Sequence, residues 1–155
     1  MSTASNHLVS LQIPLFFEGK CFGLNRDPQN GQPLIFFIGD NFKRWFLSKK
    51  EEAFGQEKIS LSHCYIKHIK DLTPDPSRKE IPLSILWELI FRQGQGQSGV
   101  LLANCRFNFF SVRDISGIVR EVRVQWCMNG WRILADEVGT YQDAPCRVFS
   151  AEKKP

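Results

Sequence analysis

The chain has 155 residues, 43% of them hydrophobic and 23% charged, with 20 basic and 16 acidic groups giving a formal charge of +4. That length suits one domain, here taken as residues 1–155 with fraying at 1–7 and 151–155, and the composition excludes a disordered or collagen-like chain. The surplus charge would serve nucleic acid only if it were gathered on one surface.

The longest hydrocarbon run, Leu34 to Ile38, is far short of the ~20 residues of a membrane-spanning helix, so no membrane partner is expected. The first basic residue is Lys20, and Leu8 to Phe17 is interrupted by Gln12 and Pro14. That is not a secretory leader, and the reading is cytoplasmic. Five cysteines lie far apart with no C-x-x-C pair, which argues against a disulfide scaffold or zinc site; small buried thiols and no cofactor are expected.

Val9, Leu11, Ile13, Leu15 and Phe17 alternate strictly, predicting one strand, placed at a sheet edge because Pro14 lacks an N–H. Leu34–Ile38 reads as a short, fully buried strand. Phe42, Trp45, Phe46 and Ala53 fall on one helical stripe, so a helix is expected from Asp40 or Asn41 to near Gly55. Lys58–Ile69 reads as a strand. Pro82–Gln93 is the strongest helix: Leu83, Leu86, Trp87 and Ile90 recur at helical spacing, widened by Ile85 and Leu89, while Ser84, Glu88 and Arg92 share the opposite face.

From Val100 onward strands dominate. Leu101, Ala103, Cys105, Phe107 and Phe109 are assigned to the apolar face, leaving Asn104, Arg106, Asn108 and Phe110 outside. Ile118–Met128 and Trp131–Val138 form a hairpin around Asn129-Gly130, with a type I′ turn expected. The register pairs Met128 with Trp131, Trp126 with Ile133, Val124 with Ala135 and Arg123 with Asp136. A final strand is expected over Cys146–Ser150. The element order predicts an α+β fold: a largely antiparallel sheet of about six to eight strands with about two helices on one face.

Gly99-Val100-Leu101-Leu102, Asn108 to Asp114, Val122–Trp126, Gly130-Trp131 and Arg147-Val148-Phe149-Ser150 together resemble a set of small bacterial proteins over the last third of the chain. The resemblance implies shared strand structure and carries no activity, cofactor or site residue with it.

Gly94-Gln95-Gly96-Gln97-Ser98-Gly99 has the letters of a dinucleotide fingerprint but follows a helix and precedes a strand, the reverse of the order that aims a helix N-terminus at phosphate; a flexible loop is expected. His63, Cys64 and His68 form a Cys/His cluster, and a small enzyme built on it is one functional alternative. On a strand Cys64 and His68 lie about 13 Å apart and His63 points away from both, which disfavours a metal or Cys–His chemistry. Arg106-Phe107-Asn108-Phe109-Phe110 interleaves basic and planar side chains, so single-stranded nucleic-acid binding is a second alternative. The intermixed acids favour a non-catalytic binding module for a protein or small ligand, with a homodimer as one arrangement. The candidate recognition residues are Arg106, Asn108, Phe110, Arg123 and Arg132 on the outer sheet face, with Trp131 at the hairpin end.

Overall fold

The structure is a computed structural model; it describes residues 7–29, 31–53, 57–67, 79–137 and 145–152. In chain order it contains β1 (His7–Gln12), β2 (Phe16–Glu18), a 3-10 turn (Gly19–Cys21), β3 (Ile35–Ile38), α1 (Asp40–Phe46), β4 (Lys50–Glu52) and β5 (Lys58–Ile66). Then follow α2 (Leu83–Arg92), β6 (Phe107–Arg113), β7 (Val119–Cys127), β8 (Gly130–Asp136) and β9 (Cys146–Glu152). Seven strands form one sheet in the order β1-β5-β9-β6-β7-β8-β3, and β2 pairs with β4 in a second, two-stranded sheet. Within the large sheet β6 runs parallel to β9 and β3 parallel to β8, while the other four pairings are antiparallel. The fold is therefore α+β, as the element order predicts.

Both helices contribute to one apolar core against a single face of the large sheet. Phe42 and Phe46 of α1 and Leu86, Leu89 and Ile90 of α2 join Phe110, Val122, Val124, Trp131, Ile133 and Phe149 there. A smaller cluster of Phe109, Cys146 and Val148 occupies the opposite face, bordered by Cys64, Ile66 and Phe107.

Several expectations shift. The alternating Val9–Phe17 run is two strands, because the chain leaves the large sheet after Gln12 and re-pairs as β2; β1 is an edge strand, as Pro14 suggests. β3 also lies at an edge, with Ile35 and Ile38 buried but Phe37 exposed. Helix α1 stops at Phe46 rather than near Gly55, because Lys50–Glu52 pair with β2. Strand β9 continues to Glu152 and buries Ala151 where fraying was expected.

The hairpin turn falls one residue earlier than expected, on Met128-Asn129, with Cys127 opposite Gly130. Asn129 keeps a negative φ, whereas Gly130 adopts φ 133°, a conformation glycine accepts readily. The register moves by two, pairing Trp126 with Trp131 and Val124 with Ile133. A shift of two preserves which face each side chain occupies, so the inward set survives while Met128 is left 90% exposed. Arg123 reaches Asp136 diagonally at 2.5 Å instead of directly across the pair.

Helix α2 draws its N-terminal cap from a remote residue. The Glu51 carboxylate accepts hydrogen bonds from the Leu83 N–H at 2.8 Å and the Ser84 N–H at 2.9 Å, satisfying two donors that a helix start leaves open. Ser84 is therefore buried rather than on a solvent face. Lys49 pairs with Glu51 at 3.2 Å and also donates to the Arg113 carbonyl, so β4, β6 and α2 meet at this point. Glu51→Ala should lower stability by about 1–2 kcal/mol through the lost cap, seen as a lower urea midpoint with an unchanged slope.

Candidate functional site

The aromatic side chains form a continuous series from the core to the surface. Phe46 packs on Phe42 with ring centroids 4.9 Å apart, Phe42 on Phe22 at 5.1 Å, and Phe22 on Trp87 at 5.0 Å. Trp87 then meets Phe91 at 6.3 Å. The first three are fully buried, Trp87 is half-buried and Phe91 is 45% exposed. Phe42 and Phe46 sit one helical turn apart on α1, and Trp87 and Phe91 occupy i,i+4 positions on α2. Helical spacing thus stacks both pairs, and the buried members hold the outer two in place.

Trp87 separates two adjoining concavities. One, of 280 Å³, is lined by Cys21, Asn25, Pro33, Ile35, Trp87 and Phe91. The other, of 470 Å³, includes Leu15, Phe17, Cys21, Trp87, Glu88 and Arg92 in its wall. Because Cys21 and Trp87 belong to both, the two make one groove beside α2. Leu15, 64% exposed, extends its apolar surface. The rim is polar and close to electrically balanced: Glu88 and Arg92 pair at 3.0 Å, and Asn25 bonds Gln32 at 3.1 Å. A third concavity, of 540 Å³, lies over the Lys49, Glu51, Glu80 and Arg113 charges.

The predicted recognition residues are distributed otherwise than expected. Asn108 is fully buried on the helix side, accepting from the Leu102 N–H at 2.7 Å and donating to the Leu102 and Val124 carbonyls at 3.1 Å each. Phe110 is also buried, stacked on Phe149 at 4.6 Å. The faces of β6 are the reverse of the reading from Leu101, Cys105 and Phe109. Residues 100–106 are not strand, and a satisfied asparagine is as compatible with the core as a phenylalanine. Trp131 is fully buried, its indole donating to the Gln93 carbonyl at 2.8 Å and its ring set edge-on to Trp126 at 5.4 Å.

The three candidate arginines lie on two different faces, Arg106 exposed and Arg123 and Arg132 part-buried. Arg123 lies over Phe107 at 5.2 Å and Arg132 over Phe36 at 5.4 Å, both on the outer face. Arg26 covers Phe36 as well, at 4.7 Å. Arg106 is exposed and donates to the Tyr65 hydroxyl at 2.5 Å; Tyr65 is opposite Arg147, which is itself opposite the inward Asn108. The structure therefore brings Arg123 and Arg132 together but leaves Arg106 on the helix side.

Side-chain hydrogen bonds tie the Gly94–Gly99 loop to the end of α2. Gln93 donates to the Gln97 and Leu101 carbonyls and accepts from the Leu101 N–H at 2.7 Å. Gly96, at φ +72°, approaches Trp126 so closely that a Cβ would sit 2.1 Å from its ring.

His63 and Cys64 occupy opposite faces, as the strand reading requires: His63 is buried against Phe149 at 5.3 Å, and Cys64 borders the cluster of Phe109, Cys146 and Val148. His68 lies outside the described residues. Among the described residues, no group of three His, Cys, Asp or Glu side chains could hold a metal ion. The expectation of uniformly buried thiols is corrected: Cys146 is buried and Cys64 and Cys127 partly so, but Cys21 and Cys105 are exposed.

The groove escaped the sequence reading because its walls come from residues far apart in the chain. Trp87 was legible as part of the α2 stripe, yet only the fold shows that Phe91 and Leu15 flank it. No helix among the described residues is long and apolar enough to cross a membrane. Comparison with protein families, with curated proteins and with solved structures finds no match.

Proposed function

We propose that this chain is a non-catalytic binding module whose groove beside α2 receives a segment of a partner protein carrying an aromatic or branched aliphatic side chain. The observation that carries the reading is the series ending in Trp87 and Phe91, which presents rigid apolar surface inside a concavity instead of covering the core with it. Ordered aromatic groups in a pocket are the usual anchors of protein recognition, since little side-chain freedom remains to be lost on binding. A balanced Glu88–Arg92 rim suits a chain of mixed polarity rather than a polyanion.

Cys21 supplies a direct test, being exposed and part of both walls. Thiol–disulfide exchange at Cys21 with the symmetric disulfides of 2-phenylethanethiol and 2-mercaptoethanol, followed by peptide mass, should favour capture of the phenyl thiol by about tenfold, the equivalent of ~1.4 kcal/mol of apolar burial. Phe91→Ser should reduce that preference towards unity without moving the urea midpoint. Equal capture of the two thiols by the unaltered protein would refute the groove.

A second reading, anion or single-stranded nucleic-acid binding, is favoured by Phe36 lying between Arg26 and Arg132. Neither guanidinium has an ion-pair partner among the described residues, so both charges remain available to a phosphate.

A further inference from the structure

We propose that Cys105 and Cys127 form a reversible redox site, closing to an intramolecular disulfide when a hydroperoxide oxidises the exposed sulfur. The β6–β7 ladder ends at Phe107 and Gln125, two residues short of Cys105 on one side and Cys127 on the other, and the two cysteine side chains meet there in a hydrogen bond. The Cys105 N–H donates to the Trp126 carbonyl at 2.9 Å, and the Gln125 side chain donates to the Cys105 carbonyl at 2.5 Å. Those bonds hold the chain alongside the end of β7 even though Cys105 lies before β6 begins. Side chains in hydrogen-bond contact have their sulfurs adjacent already, as the short reach of a disulfide requires.

The two sulfurs differ in access, which assigns their order of reaction. Cys105 is exposed and Cys127 half-buried. Burial pushes the Cys127 thiol up, and the hydrogen bond and charge of Cys105 beside it act in the same direction, whereas Arg132 opposes them. The exposed Cys105 therefore meets the peroxide first, and the half-buried Cys127 serves as the resolving thiol. Arg132 has no ion-pair partner among the described residues and can stabilise negative charge as sulfur is deprotonated.

The chemistry balances in two steps. The Cys105 thiolate attacks one peroxide oxygen, breaking the O–O bond to give a sulfenic acid and, after protonation, water or an alcohol. The Cys127 sulfur then attacks the sulfenic sulfur, forming S–S, and the displaced hydroxide leaves as water with the Cys127 thiol proton. The two electrons lost by the thiols reduce the peroxide, and an external dithiol restores both thiols.

Cys105 also has φ 66°, and among the described residues it is the one non-glycine with positive φ. Such a conformation costs on the order of 1 kcal/mol unless its surroundings enforce it. The Trp126 and Gln125 bonds do so, presenting the sulfur at the strand end.

The test is titration of the full chain with hydrogen peroxide, followed by thiol counting and non-reducing peptide mapping. Two of the five thiols should be lost together in a Cys105–Cys127 peptide and recovered with dithiothreitol. Cys127→Ser should leave Cys105 as a trappable sulfenic acid, and Cys21→Ser should not change the linkage. Circular dichroism before and after treatment should match, showing that the link forms in the folded chain. Oxidation of Cys105 to sulfinic acid with Cys127 still free, or linkage of Cys105 to Cys21 between molecules, would overturn the proposal.

Discussion

Trp131→Ala should lower the unfolding free energy by about 4 kcal/mol, among the largest effects expected of a single substitution here. The indole is fully buried, packs edge-on to Trp126 and donates to the Gln93 carbonyl. Removing it leaves a large cavity and reduces the Gln93 carbonyl to its one remaining bond, from the Gly96 N–H at 2.9 Å. Trp131→Phe keeps much of the packing but loses the hydrogen bond, so about 1–2 kcal/mol is expected. Urea unfolding should show the ranking as successive decreases in midpoint. An Ala variant within 1 kcal/mol of the parent, on the order of an exposed site's effect, would mean that the indole is not enclosed. Trp131 therefore contributes stability, where its residue type and place near a turn suggested recognition.

A comparable effect is expected at Asp114, with a distinctive pH dependence. Its buried carboxylate accepts from the Ser116 and Ile118 N–H groups at 2.8 and 2.9 Å and from Arg120 at 2.8 Å. Arg120 in turn lies 3.9 Å over the Trp45 ring, fastening the 114–117 turn to the end of α1. Burial alone would raise this carboxyl, but the bonds from Arg120, Ile118 and Ser116 together outweigh it and hold it below the ordinary 3.8. A carboxyl lowered on folding adds stability that is present above its unfolded value and lost as pH falls through the folded one. Asp114→Asn should cost about 3 kcal/mol at pH 7 by removing the charge that Arg120 bonds at 2.8 Å and leaving it only the longer pair with Glu137 at 3.8 Å. The gap from the parent should narrow below about pH 4, where the parent carboxylate protonates as well. A gap of constant size from pH 7 to 2.5 would show that the charge is not what holds the turn.

These two residues also mark how far the sequence is legible. The α2 stripe, the alternation of β7 and β8 and the α+β class follow from periodicity, because each repeats one physical constraint over many residues. Strand β6 was read on the wrong face because apolar side chains occur on both: Phe107 and Phe109 enter the small cluster, while Phe110 and Val112 enter the main core. Nothing local distinguishes these cases, since Asn108 becomes a core residue only once Leu102 and Val124 meet its amide. The Glu51 cap was likewise hidden, lying more than thirty residues before the helix it completes. The candidate groove needs β2, the 3-10 turn and α2 assembled together, whereas Arg123 and Arg132 follow from the alternation of β7 and β8 and only Arg106, Asn108 and Phe110 depend on the face of β6.

The central claim, that recognition takes place in the groove beside α2 rather than at the outer arginines, is tested most directly by chemical-shift mapping of the labelled protein with two probes. Titration with N-acetylphenylalaninamide should shift the resonances of Leu15, Cys21, Trp87 and Phe91, while an oligothymidylate of about eight nucleotides should shift no set of resonances in a salt-sensitive manner. Salt-sensitive shifts at Arg26, Phe36, Arg123 and Arg132 with the oligonucleotide, and none at Trp87 or Phe91 with the phenylalanine amide, would contradict the account and move recognition to the opposite face of the sheet.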